Sequence, residues 1–368
     1  MVYIIFFFIL ILGTLVTKSR KESVCYLFMI MTLLLIIIGL RDVSVGTDTL
    51  SYTEDFMKFS HMSFSEMWKF AFTAKEPLYV IISWIPSLLS TNYTCFLLVW
   101  ALFPVCSLYK VFKSELQDSK DFFIAILVFF LLGLFAFYVA GIRQAAALSL
   151  IFFAGAKYLR EYNMKDIKSA IKGKAIYCFV IIIGLAYLIH NSSILFLLAI
   201  PLVFLKVRWW YLLLVFGLFF IGKYVQIDQV VLLSKLFFED RFATYGTVYE
   251  SSQNISALIM QIILFLICFM VKDKLVRRDT QNNFFFNLLL VGLVFQSLSE
   301  LMAEMARISF YFSMFAMILV PRAFKEYSTN YRKFIYFGFS VVCLYYLFFL
   351  TGSNLPKYHL SLIHISEP

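Results

Sequence analysis

Apolar residues run along this 368-residue chain in 13 blocks separated by short polar breaks. The blocks lie at about 2–17, 24–40, 77–90, 93–112, 122–141, 144–159, 175–189, 193–205, 209–222, 255–271, 284–299, 304–320 and 334–350. Most approach the length of a membrane-crossing helix, and none shows the strict alternation of a half-buried strand. The pattern predicts an all-α, polytopic transmembrane helical bundle. Crossing by every block would place the basic loop 157–174 on the face opposite the basic segment 18–21. That violates the rule that Lys and Arg collect on the cytoplasmic side. One block is therefore expected not to cross. Block 77–90, PLYVIISWIPSLLS, is short, begins at Pro77 and is interrupted by Pro86. A stretch of this size is more often re-entrant or interfacial than spanning. The expectation is about 12 spans plus one re-entrant or interfacial helix at 77–90, with both termini outside. The inner loops then hold 22 of the 32 Lys and Arg and 9 of the 22 acidic residues, net +13 inside against −3 outside.

Composition agrees. Hydrophobic residues make up 62% and charged residues 15%, far from the balance of a soluble globule. The net charge of +10 belongs to cytoplasmic loops, and no basic run interleaves with aromatics in a polar domain, so nucleic acid is excluded as a partner. The first 17 residues lack a basic leading segment and a small-residue cleavage site, which predicts an uncleaved first span. The six cysteines lie in or beside apolar blocks without CxxC spacing, and the four histidines are scattered. No metal site and no cofactor is expected. Residues 1–350 form a single integral membrane domain. Residues 351–368 form a tail, whose last eight residues, SLIHISEP, read as foreign to it.

The threading gathers one set of polar residues on the outer face. Arg41, Asp48 and Tyr52 lie in RDVSVGTDTLSY, directly after a long apolar block. Glu76 precedes the re-entrant block, Arg143 and Gln144 sit between two blocks, and His190 with Asn191 fills another turn. Arg241 lies in the loop 223–254, and Glu304 and Arg307 share the last outer turn region. Charges this close to hydrocarbon need partners or an aqueous basin. Several guanidinium groups around one basin suit a polyanion such as a diphosphate. The turn Val45-Gly46-Thr47 could also bind an anion through backbone N–H groups. His190, Asp48 and Glu76 are the candidate proton acceptors, His190 first because histidines titrate near neutral pH. Each has a plainer alternative: a span anchor for Arg41, a polar hairpin turn for His190, a helix ion pair for Glu304 and Arg307, a solvated loop for Arg241.

In order along the chain, Arg41-Asp-Val-Ser-Val-Gly46-Thr-Asp48, Glu76-Pro77, Gly141-Ile-Arg143-Gln144 and His190-Asn191-Ser192 resemble the EpsG family, which belongs with the Wzy-type polysaccharide polymerases. The resemblance implies a bacterial plasma-membrane enzyme that joins oligosaccharide repeat units carried on undecaprenyl diphosphate at the outer face. It implies no metal or cofactor. The implied partners are the lipid-linked oligosaccharide, membrane lipid, and a chain-length regulator and flippase of the same pathway. The catalytic residues would be His190, Asp48 or Glu76. Arg41, Arg143, Gln144, Tyr52, Asn191, Arg241, Arg307 and Glu304 would hold substrate. The alternatives are a lipid-linked oligosaccharide flippase, a membrane O-acyltransferase, or a ligase with polymerase-like chemistry.

Overall fold

The structure is a computed structural model that describes residues 2–159, 174–224, 255–299, 303–350 and 355–358. Among the described residues every regular element is helical, and each apolar block of the sequence falls on helix. The first half contains α1 (Val2–Val16), α2 (Arg20–Gly39), α3 (Thr49–Ser60), α4 (Phe64–Thr73), α5 (Pro77–Trp84), α6 (Tyr93–Glu115), α7 (Ser119–Leu131), α8 (Leu134–Ala140) and α9 (Ile142–Ala154). The second half contains α10 (Lys174–Ile189), α11 (Ala199–Leu202), α12 (Tyr211–Tyr224), α13 (Ile255–Phe269), α14 (Lys272–Arg278), α15 (Asn282–Ser297), α16 (Ala303–Ser313), α17 (Ala316–Glu326) and α18 (Thr329–Tyr345). Local chemistry fixes several starts. Ser19 with Glu22, Ser63 with Glu66, and Asp118 with Asp121 form reciprocal capping boxes at α2, α4 and α7. Between α7 and α8, Gly133 adopts φ 73°, a left-handed value that lets the chain bend without steric cost, and the two helices meet at 61°.

α7 and α17 pack together at the centre. Every residue from Phe122 to Leu131 is buried, as are Ala316 to Pro321. From Phe122 to Leu131 α7 is apolar on every side, the pattern of a helix enclosed by others or by a membrane. Around them, α2 packs on α6, α6 on α9, α9 on α10, and α15 on α16.

Among the described residues three helical segments are long and apolar enough to cross a membrane: Arg20–Gly39, Tyr93–Glu115 and Tyr331–Phe349. The number rises to 6 if each bent pair, such as α7 with α8, is one span. The chain is thus an all-helical membrane protein, but helix length alone does not reach the expected count of about 12. The proline-bounded block forms α5, 8 residues long, and a 3₁₀ turn of 4 residues, Ile85–Leu88. Together they reach only about 20 Å, against a hydrocarbon core of roughly 30 Å.

The loops that the charge count places on one side also converge in space. Arg20 donates to the carbonyls of Lys113, Leu116 and Gln117 at 2.5–2.8 Å, closing the end of α6. Arg322, on α17, meets Glu115 at 2.5 Å and Asp279 at 3.5 Å. Lys325 meets Asp121 at 2.6 Å and Asp118 at 3.1 Å, and Arg278 meets Glu326 at 2.7 Å. All of these ion-pair residues except Asp118 line a polar cavity of about 320 Å³ between α6, α7, α14 and α17. In the tail, Tyr3 donates to the Pro356 carbonyl at 2.8 Å and Tyr358 to that of Ile37 at 2.9 Å, which seats residues 355–358 on α1 and α2. Residues 361–368 lie outside the described residues.

Candidate functional site

Three helix ends meet around one carboxylate. Glu76 stands just before α5, where Pro77 at the first helical position starts the helix without needing a donor. Its side chain does not cap α5, so both oxygens are available. Arg143, the second residue of α9, donates from Nη1 to Glu76 Oε2 at 2.8 Å. His190 follows the last turn of α10, in extended conformation (φ −154°, ψ 115°). Its Nδ1 lies 2.9 Å from Glu76 Oε1, and the Asn191 backbone N–H donates to the same oxygen at 3.2 Å. Side-chain exposure falls from 38% at Arg143 through 25% at His190 to 12% at Glu76. The carboxylate is therefore the floor, and the two basic groups form a rim open to the outside of the protein.

Burial pushes the Glu76 carboxyl towards a higher pKa. The hydrogen bond from His190 and the charge of Arg143 outweigh that effect and hold it below the usual carboxylate range. An ionised Glu76 can only accept, so His190 Nδ1 carries the proton. In the neutral ring, Nε2 then bears the free lone pair. A base oriented by a buried carboxylate is the arrangement used to take a proton from a hydroxyl. The linkage has a definite sign. A depressed folded pKa contributes stability that is complete above the unfolded pKa and is lost as pH falls through the folded value. Glu76→Gln is accordingly expected to lower thermal stability at neutral pH, and the gap from wild type to close on acidification below the carboxylate range. Melting curves of both proteins across pH in lipid nanodiscs measure this.

An aromatic wall holds the arginine. The Arg143 guanidinium sits 5.0 Å from the ring centre of Tyr79 and 5.5 Å from that of Tyr52, both buried. The Tyr79 hydroxyl donates to Asp55 at 2.9 Å, which fixes the ring. Below the histidine, Ser192 and the fully buried Tyr311 hydroxyl lie 2.9 Å apart.

The remaining candidates are placed as follows. Gln144 is buried and donates to the Arg307 backbone carbonyl at 3.2 Å, joining α9 to α16. The Arg307 side chain is exposed and Glu304 is half-buried, with no ion pair between them. Asp48 is exposed at the start of α3, and its charge reaches Tyr52 only through space. Arg241 lies outside the described residues. Arg41 is fully buried. It donates to the carbonyls of Ile38 and Val139, the latter at 2.9 Å, in the last turns of α2 and α8. One guanidinium thus caps two helices, and their dipole ends supply its counter-charge. Gly46 adopts φ 97°, and a Cβ there would meet the Val139 carbonyl oxygen at 2.8 Å. The polar turn after α2 is built around this junction.

Asp55, Tyr79 and Tyr311 were not singled out from the sequence. Asp55 could have been, because it lies three residues after Tyr52 on the same helical face. Tyr79 and Tyr311 sit in apolar blocks, where an isolated tyrosine gives no separate signal. No group of three His, Cys, Asp or Glu side chains able to hold a metal occurs among the described residues.

The EpsG family model matches residues 23–360, nearly the whole chain and every member of the Glu76 cluster. The chain belongs to the EpsG family. That family is one of Wzy-like polymerases. No curated protein and no solved structure matches this EpsG-family chain.

Proposed function

We propose that this EpsG-family protein joins undecaprenyl-diphosphate-linked oligosaccharide repeat units at the outer face of the bacterial plasma membrane. The single observation that carries the reading is the division of the Glu76 carboxylate between His190 and Arg143. It places a base and a cation side by side at the rim of one site. His190 Nε2 takes the proton of the attacking sugar hydroxyl. The hydroxyl oxygen forms a bond to the anomeric carbon of the donor glycan as the bond from that carbon to the phosphate oxygen breaks. The electron pair leaves on the lipid diphosphate, where Arg143 meets the growing negative charge. Glu76 orients both groups. Tyr52 and Tyr79 keep the guanidinium in place, Gln144 ties the site to α16, and Asn191 closes its floor.

About 12 crossings, with the α5 block re-entrant, fit this reading because they put the whole cluster on one side with the basic loops on the other. A chain-length regulator and a flippase of the same pathway are the expected partners.

A deletion strain tests the reading. Lipid-linked glycan from its outer surface is expected to contain single repeat units and no ladder, with the ladder restored by the wild-type gene. Absence of any repeat unit outside would instead indicate a flippase. A normal ladder lacking acyl groups would indicate an acyltransferase.

A further inference from the structure

The loop between α2 and α6 carries an aromatic stripe that the site does not use. Phe64, Trp68 and Phe72 are 63%, 45% and 74% exposed. Spaced by four, they follow one side of α4, drifting by only about 40° per step. The packed side of the same helix is Met67 and Ala71, with Phe70 partly covered. Ser65, Glu66, Lys69 and Thr73 form the polar arc. The helix is firmly made: Glu66 Oε2 accepts from the Ser63 N–H at 2.8 Å in its capping box. An ordered helix that shows three large aromatics beside an already packed face has an unfilled partner.

We propose that the partner is the membrane surface: α4 lies in the plane of the outer leaflet, with Phe64, Trp68 and Phe72 at the level of the lipid head groups. Two observations single out lipid. The stripe is continuous with further exposed apolar surface, because the Phe64 ring lies 6.0 Å from that of Trp84. Trp84 also donates to the Met62 carbonyl at 3.0 Å, and Ile85, Leu88 and Leu89 beyond it are 47%, 64% and 82% exposed. The flanking charge is also complementary. Lys58, Lys69 and Lys75 are exposed on and beside α4 and outnumber the exposed Glu54 and Glu66, which leaves a positive excess suited to anionic head groups. The consequence for the site rests on the polymerase reading. Only Ala74 and Lys75 separate α4 from Glu76, so α4 sets the depth of the Glu76 cluster at the level where a lipid diphosphate lies.

The experiment uses the full chain in vesicles of phosphatidylethanolamine and phosphatidylglycerol. The fluorescence difference between wild type and Trp68→Phe isolates Trp68. That difference is expected to be quenched by lipids brominated near the head group and spared by aqueous acrylamide. Quenching by acrylamide with indifference to brominated lipid overturns the membrane contact, and points to a glycan or protein partner instead. In a second arm, Phe64→Ser with Phe72→Ser is expected to turn Trp68 acrylamide-sensitive and to slow ladder formation without a change in melting temperature. Brominated-lipid quenching of Trp68 with an unaltered ladder rate in that double variant overturns the depth-setting role. The optical arm needs no activity, so its failure is separable from failure of the polymerase reading, which the deletion strain reports.

Discussion

His190→Ala is expected to leave the protein folded in the membrane and, on the polymerase reading, to slow polymer formation by about 10²- to 10⁴-fold, the range for loss of a general base. The fold survives because Glu76 keeps Arg143 and the Asn191 N–H after the imidazole is gone. On the polymerase reading, the residual rate is the part that Arg143 supplies by meeting the charge on the leaving diphosphate. His190→Gln separates the two roles of the ring. A glutamine amide can donate to Glu76 as the imidazole does, yet it cannot accept a proton. It is therefore expected to preserve stability and to lose activity as completely as alanine does. Glycan ladders from strains expressing each variant at equal membrane levels provide the measurement. A wild-type ladder rate from His190→Gln would remove His190 as the base.

Arg41→Ala is expected to cost about 4 kcal/mol of stability, because two charge-assisted bonds to buried carbonyls disappear together. The Ile38 and Val139 carbonyls end two helices and both accept from this side chain, with the Thr49 hydroxyl a longer second donor to Val139 at 3.5 Å. Without it they stay buried with fewer partners, and the α2–α3 turn loses its hold on α8. Arg41→Lys restores the charge but not the fork, so only part of the loss is recovered. The readout is melting temperature and membrane yield, compared with ladder rate per folded molecule. If Arg41 gripped substrate instead, yield would be normal and only the ladder would fail. That result would return Arg41 to the binding role its sequence position suggested.

The contrast between Arg41 and Arg143 marks what a sequence can tell in this protein. Both follow an apolar block and both read as outer-face cations. Glu76, Arg143 and His190 were legible because each interrupts hydrocarbon at a turn, where a charge needs a reason to be. Arg41 satisfied the same criterion, but in the structure it holds two buried helix-end carbonyls, one of them nearly a hundred residues away. Peptide carbonyls leave no trace in composition or spacing. Tyr79 was hidden by the opposite effect, since one ring among 44 Phe and 22 Tyr is indistinguishable until its neighbours are known. The helical class and the position of each apolar block were plain from hydropathy. The number of crossings was not, because charge balance counts sides whereas helix length counts thickness, and several blocks such as Asn282–Ser297 are short.

A side chain at position 46 would strain the left-handed backbone and strike, each at 2.8 Å, Thr49 Oγ1 and the Val139 oxygen that Arg41 holds. A mutation at either place therefore damages the same bond, and a change at one cannot be repaired at the other. Because the third member contributes only its main chain, the identity of residue 139 does not enter the bond at all. Inheritance should accordingly treat 41 and 46 as a single unit, kept or lost together, while the letter at 139 is answerable only to the apolar packing around it.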